Sequence, residues 1–177
     1  EGSSWELHHA PGGTLDVTEG AVVGGEATAL ELDPAGLSPA QLERFPHLAG
    51  YLALHLPEGT PRAELEAWLT GELLVSQRDS DGAATAITGV QIPGVLDDLF
   101  AEAAERELGV SWAKNGKPTV SLWAPTATAV DLLLWSDGRG TGTPQRLEMA
   151  RTPDGTWTVA GDKKWKNKAY RFEVGVY

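Results

Sequence analysis

Val-Ser-Leu-Trp-Ala-Pro-Thr-Ala-Thr-Ala-Val-Asp-Leu-Leu-Leu-Trp, residues Val120 to Trp135, is the stretch whose reading decides the fold. In its first half Val120, Leu122 and Ala124 alternate with Ser121 and Trp123, the period of a strand with one buried face. Pro125 ends that ladder because it has no N–H to donate. Thr126 to Ala129 are small and polar enough for a turn. Val130 to Trp135 is an almost continuous apolar run, as expected of a strand buried on both faces or covered by a neighbour. The stretch therefore predicts two strands joined by a short turn.

Working outward toward the C-terminus, a Gly-rich loop spans 137–144 and a strand is expected over Gln145 to Met149. Asp154-Gly155 turns the chain into Thr156 to Val159. Ala169 to Tyr177 alternates well enough for a last strand. Toward the N-terminus, Ser111 to Ala113 precedes a turn at 114–117. Asp97 to Leu108 is amphipathic and predicts a helix ended by Gly109, with Asp97-Asp98 in its first turn.

The first ninety residues read as short strands broken by turns. Strands are expected at Trp5 to His9, Thr14 to Val17, Gly20 to Val23 and Ala27 to Leu32. Leu52, Leu54 and Leu56 mark another, followed by Glu72 to Gln77 and Ala84 to Ile87, with Asp79-Ser80-Asp81-Gly82 as a hairpin turn. Ser38 as N-cap with Pro39 at the first helical position predicts one short helical turn. Thr60, Pro61 and Glu64 predict a capping box, after which Leu65, Trp68 and Leu69 share a face until Gly71 ends the helix.

Composition narrows the function classes. A chain of 177 residues suggests one large or two small domains, too few for a (β/α)₈ barrel of about 250 residues. The net charge of −11 argues against nucleic acid or an anionic membrane as partner, since both require a positive field. The chain has no cysteine, so no disulfide or thiolate metal site exists. No apolar run approaches the ~20 residues of a membrane span, and the first residues lack the pattern of a signal peptide. Localisation stays open. Seven Trp against three Phe and three Tyr suits both sugar stacking and a small β-core.

Three motifs carry a resemblance. Leu122-Trp123-Ala124-Pro125-Thr126-Ala127, followed by the apolar strand, resembles the start of the family-48 carbohydrate-binding module, the immunoglobulin-like sandwich that precedes the catalytic barrel in isoamylases, branching enzymes and pullulanases. Arg44-Phe45-Pro46-His47-Leu48 resembles a segment of the second N-terminal domain of type I pullulanases. Gln91-Ile92-Pro93-Gly94-Val95-Leu96-Asp97-Asp98 resembles the segment that ends that domain in pullulanases and plant limit dextrinases. The order and spacing match, and the resemblance covers nearly the whole chain.

The resemblance implies an all-β protein of two small antiparallel immunoglobulin-like β-sandwich modules with a few short helices. It implies a pullulanase second N-terminal domain over 1–107 and a family-48 module over 108–177, each incomplete at its outer end. It further implies non-catalytic accessory modules of an α-1,6-glucan debranching hydrolase of glycoside hydrolase family 13. Their partners would be the catalytic barrel of the same parent enzyme and an α-glucan, with no cofactor. The alternatives are an independent starch- or glycogen-binding module and a purely structural β-sandwich.

Catalysis in such an enzyme needs two carboxylates about 5 to 5.5 Å apart, carried by the barrel. Asp97-Asp98, the adjacent carboxylate pair here, reads as helix capping. His8, His9, His47 and His55 have no metal-ligand spacing, and Asp79 to Gly82 lacks the remaining ligands of a calcium loop. Lys163, Lys164, Lys166 and Lys168 read as a solvated loop. Glycogen-binding members of the module family use two Trp faces and a Lys in Tyr-Lys-Phe. Tyr170-Arg171-Phe172 stands in that place, Tyr177 lies near the second Trp position, and the first falls at 137–139 without an aromatic. The candidate carbohydrate-binding residues are therefore Trp135, Trp157, Arg171 and Tyr177, with both Trp also suited to the core.

Overall fold

The computed structural model describes residues 2–177. The chain is all-β, with several antiparallel sheets and a few short helices, and divides into two compact units, Glu1–Val90 and Gln91–Tyr177.

The first unit runs β1 (Ser4–Ala10), β2 (Asp16–Thr18), β3 (Ala21–Val23), β4 (Glu26–Leu32), α1 (Pro39–Arg44), β5 (Leu54–His55), α2 (Arg62–Trp68), β6 (Glu72–Arg78) and β7 (Ala84–Gly89). Five strands form one antiparallel sheet in the order β5-β4-β1-β6-β7, and β2 pairs with β3 as a hairpin. β1 is the central strand, with Leu7 opposite Thr28 of β4 and Val75 of β6. Helix α2 covers part of one face through Trp68 and Leu69, both buried.

The helix starts show where local rules hold and where they yield. Ser38 caps α1 in a full capping box: Gln41 N–H donates to Ser38 Oγ at 3.3 Å, and Ser38 N–H donates to Gln41 Oε1 at 2.8 Å. The box expected at Thr60 does not form. The Thr60 hydroxyl instead donates to the Pro57 carbonyl at 2.7 Å, and α2 begins after Pro61 without a side-chain cap. The strand expected around Leu52 to Leu56 shrinks to the two residues of β5, and Leu52 is exposed.

β1 buries two adjacent histidines whose side chains leave opposite faces of the strand, as strand geometry requires. His8 Nε2 shares a 2.8 Å hydrogen bond with Ser76 Oγ, and His9 Nε2 one of 3.1 Å with Thr28 Oγ1. The His9 ring stacks on Trp68 with centroids 4.2 Å apart and planes 17° apart, and its Nδ1 is buried with no hydrogen-bond partner among the described residues. Burial lowers both imidazole pKa values below the ordinary one, against the opposing pull of Glu6 on His8 and of Glu26 and Glu64 on His9. The unfolded chain therefore binds protons near pH 6.5 that the folded unit refuses. Stability from this source is complete above that pH and declines as pH falls from it toward the folded values. The first unit's thermal midpoint is expected to drop between pH 7.5 and pH 5.5, and the drop should be shallower in His9→Phe. Parallel slopes for the two proteins in scanning calorimetry would refute the assignment.

The second unit runs α3 (Pro93–Leu99), β8 (Gly109–Trp112), β9 (Pro118–Trp123), β10 (Ala129–Leu134), β11 (Gln145–Glu148), β12 (Ala150–Arg151), β13 (Thr156–Ala160) and β14 (Tyr170–Gly175). β9 and β10 do not pair with each other. Their connecting turn, closed by Ala127 N–H to the Ala124 carbonyl at 3.1 Å, carries the chain from one sheet to the other. β9 is interior to the four-stranded sheet β12-β13-β9-β8, and β10 is central in the three-stranded sheet β11-β10-β14. The core collects Val120, Ala127, Val130, Leu132, Met149 and Trp157, with Val110, Leu122 and Phe172 packed against it.

The expected helix over Asp97 to Leu108 is two pieces, α3 and a 3₁₀ turn at Ala101–Glu105. Phe100, 2% exposed, separates them with φ −115° and ψ 27°, a backbone that leaves the helix so that the ring can be buried. Asp97 and Asp98 consequently lie in the last turn of α3, both exposed, and do not cap its start.

Candidate functional site

The outer face of the three-stranded sheet is set by pairing register. Along β10, Val130, Leu132 and Leu134 point into the core, so Asp131, Leu133 and Trp135 point outward. Asp131 lies opposite Glu148 on β11 and Glu173 on β14, and Leu133 lies opposite Arg146 and Arg171. One face thus gathers three carboxylates, two guanidinium groups, a leucine and an indole.

Arg146 crosses this face. Its Nη1 donates to Asp131 Oδ2 at 2.6 Å and its Nη2 to Glu173 Oε1. The bond to Glu173, then that to Asp131, raises the guanidinium pKa further, so its charge is permanent. Beside it the Arg171 guanidinium sits 5.8 Å from the Trp135 ring centroid, within cation–π range.

Trp135 is fixed from below by the loop that follows it. Its Nε1–H donates to the Gly142 carbonyl at 2.9 Å. Asp137 ties that loop together: Oδ1 accepts from Arg139 N–H at 3.0 Å, Gly140 N–H at 2.9 Å and Thr141 N–H at 3.3 Å, while Oδ2 accepts the Thr141 hydroxyl. The Thr141 hydroxyl first, then these backbone donors, hold the Asp137 pKa below its ordinary value. Gly140 has φ +72°, and a Cβ there would stand 3.9 Å from the indole, so the loop passes close to the ring.

Of the sequence candidates, the fold brings together Trp135 and Arg171. Tyr177 is exposed two residues past the end of β14, whereas Trp135 N–H bonds Ala169 just before its start. The two residues therefore stand at opposite ends of one strand, roughly 25 Å apart along it. Trp157 points inward from β13, 8% exposed, and its Nε1–H donates to the Ala124 carbonyl at 2.9 Å. Asp131, Leu133, Arg146 and Glu173 share the outer face and escaped the sequence reading. Their only signal was the alternation of β10, which cannot say which strand lies opposite.

A second polar cluster is structural. Asp154 is buried under the turn before β13. Its Oδ1 accepts from the Thr152 hydroxyl at 2.6 Å and from Thr156 N–H at 3.1 Å, and its Oδ2 from Arg106 Nε. Trp123 Nε1–H donates to the Asp154 carbonyl at 3.2 Å. Both carboxylate oxygens are thus committed to holding the turn.

The comparisons with known proteins agree with this architecture. Residues 1–98 match the Pullulanase N2 domain, and residues 107–177 match Carbohydrate-binding module 48 (Isoamylase N-terminal domain). The pullulanase of Klebsiella pneumoniae is 36% identical over 150 residues, covering 84% of this chain and 13% of that protein. Pullulanase 1, chloroplastic, of Arabidopsis thaliana is 30% identical over 148 residues, covering 84% of this chain and 15% of that protein. Among solved structures, a maltotriose complex of PulA from Klebsiella pneumoniae superposes with a TM-score of 0.85 at 28% identity, covering 98% of this chain and 18% of that one. PulA from Klebsiella oxytoca superposes with a TM-score of 0.84 at 29% identity, covering 98% and 16%. The chain spans less than one fifth of the length of each of these relatives.

Proposed function

Since the chain belongs to the pullulanase N2 domain family and carries a family-48 carbohydrate-binding module, we propose that it serves as non-catalytic accessory modules of an α-1,6-glucan debranching hydrolase. Its work in this reading is to pack on the catalytic barrel of the same enzyme and to position α-glucan for it. The hydrolytic carboxylates belong to that barrel. We draw the module boundary between 107 and 108, just ahead of β8 at Gly109.

The observation that supports this division of labour is the sparse outer face. A sugar-binding face needs aromatic planes with convergent polar groups. Here Trp135 with Arg171 forms one such pair, flanked by the Arg146 ion-pair network. Tyr177 would meet only a glucan long enough to run the length of β14. Trp157 would act indirectly, by holding β13 against the core beneath the sheet. A single stacked ring contributes on the order of 1 kcal/mol, so glucan contact by this chain alone is weak and serves a barrel that binds more tightly.

Titration with maltoheptaose, followed by tryptophan fluorescence, tests the reading. Half-saturation is expected in the millimolar range, about −4 kcal/mol, and Trp135→Ala should weaken it about tenfold. Micromolar binding that survives Trp135→Ala would instead identify an independent starch-binding module with a different contact face.

A further inference from the structure

The two sheets of the second unit part at one side. β8 is the edge of the four-stranded sheet and β14 the edge of the three-stranded one. Val110 and Phe172 on these strands pack on the core, so Trp112 and Tyr170, two positions along, lie on the same inner faces. Yet Trp112 is 47% exposed and Tyr170 38% exposed. Between them opens a groove of about 310 Å³, lined by Trp112, Tyr170 and Trp165, with Lys166, Asn167 and Lys168 among its other walls. Trp165 is seated on Gly161, where a Cβ would come within 2.4 Å of the indole.

Charge marks the same place. Lys114, Lys117, Lys163, Lys164, Lys166 and Lys168 are the chain's only lysines, in a protein of net charge −11. They fall in two segments that touch: the aliphatic part of Lys163 lies 3.7 Å from where a Gly116 Cβ would stand. Among the described residues none of these lysines is ion-paired. Asp162, the carboxylate beside them, is turned onto Lys164 N–H at 2.8 Å. Asn167 is held with φ +64°, and its side-chain amide has no hydrogen-bond partner among the described residues.

We propose that this groove is a second carbohydrate subsite, distinct from the outer face around Trp135, and that it takes a glucosyl ring bearing an anionic substituent, of which a phosphate monoester is the simplest. The inference rests on the carbohydrate-binding reading of the module. Trp112 and Tyr170 offer apolar planes to the C–H faces of the sugar ring. The Asn167 amide donates to its hydroxyls. Lys166 and Lys168 meet the anion as point charges, and the remaining lysines add a local positive potential that the acidic remainder of the chain does not cancel at short range. A purely neutral ligand would leave the lysines without a role, and a bare anion would leave the rings uncovered.

Isothermal titration of the full chain with glucose 6-phosphate, maltotriose and inorganic phosphate separates these cases. Glucose 6-phosphate is expected to bind at least about tenfold more tightly than inorganic phosphate, and more weakly as salt rises. The Lys166→Glu/Lys168→Glu protein should lose that binding. Trp112→Ala should weaken it about tenfold without changing the response to maltotriose. Thermal unfolding of each variant, expected to match the parent, shows that a loss is local. Equal affinity for phosphate and sugar phosphate, or no effect of Trp112→Ala, overturns the inference. If maltotriose binds through Trp135 while glucose 6-phosphate does not bind, the groove proposal alone falls. If no sugar binds, the carbohydrate-binding reading falls with it.

Discussion

Gly71→Ala is expected to destabilise the first unit by about 3 kcal/mol or more. A Cβ at this position would stand 1.7 Å from the Ala10 carbonyl oxygen, 2.6 Å from its carbon and 3.0 Å from Gly12 N. All three are backbone atoms, so no rotamer change relieves the clash. They also belong to the joint that fixes the sheet. Gly12 N–H donates to Thr70 Oγ1 at 3.1 Å, Glu72 N–H to the Gly13 carbonyl at 3.0 Å, and Ala10 pairs with Glu72 between β1 and β6. Accommodating one methyl group therefore means moving the end of the central strand away from α2 and β6. Gly89→Ala is the control, since a Cβ there meets nothing within 4 Å. Urea unfolding should show the first unit's midpoint shifted far down in Gly71→Ala and unmoved in Gly89→Ala. Equal midpoints for the two variants would show that β1 is not seated on Gly71 as described.

The second large effect is expected at Asp154, where Asp154→Ala should cost the second unit about 3 kcal/mol. The carboxylate is buried and satisfies the Thr152 hydroxyl, the Thr156 N–H and the Arg106 guanidinium. Removing it takes the side-chain acceptor from the buried Thr156 N–H and the ion pair from Arg106, and leaves a void beside Phe100 and Pro125, which pack around the adjacent Gly155, while the Thr152 hydroxyl keeps the Thr156 carbonyl. Asp154→Asn should cost less, because one oxygen remains to accept.

The pH dependence gives this assignment an independent check. Burial alone would raise the Asp154 pKa, but the hydrogen bonds from Thr152, Arg106 and Thr156 overcome it and hold the group well below the usual carboxylate range. A depressed carboxylate contributes stability above its unfolded pKa of about 3.9, and that contribution disappears as pH falls further toward the folded value. The stability difference between the parent protein and Asp154→Ala should therefore stay constant from pH 7 down to about pH 5 and narrow in stronger acid. A difference that narrows between pH 7 and pH 6 would point to another titrating group.

The contrast between Ser38 and Thr60 shows what local sequence can specify. Both precede proline, but Ser38 has the polar Gln41 three positions on, whereas Thr60 has Ala63 there and Glu64 one position too late. Ser38 caps as the pattern predicts, because every group in the box lies within four residues. Thr60 does not, because Ala63 has no side chain to return the bond and α2 begins one residue later, after Pro61, while the Thr60 hydroxyl donates to the Pro57 carbonyl. Asp97 and Asp98 fall in the last turn of α3 rather than the first turn of a helix for a related reason. The amphipathic pattern was sound, but the helix could begin at Pro93 and had to break where Phe100 turns in to be buried.

The candidate site follows the same division. Trp135 and Arg171 were legible through their motifs, each within a strand of recognisable period. Their contact was not, since it depends on β14 lying beside β10 in a register that matches Leu133 with Arg171. Trp157 and Tyr177 were equally plausible as stacking residues until pairing assigned one to the inner side of a sheet and the other to the far end of a strand.

Period-two alternation, proline and glycine punctuation and three short motifs were enough to establish an all-β chain, most of its strands and its family, because each of these signals acts over a few residues. Tertiary structure alone decided that β9 and β10 enter different sheets, that Arg146 bridges Asp131 and Glu173, and that Lys166 and Lys168 border one aromatic groove. Those outcomes depend on which strands become neighbours, and strand pairing is a long-range choice made by burial of the common core rather than by the local preferences of either strand.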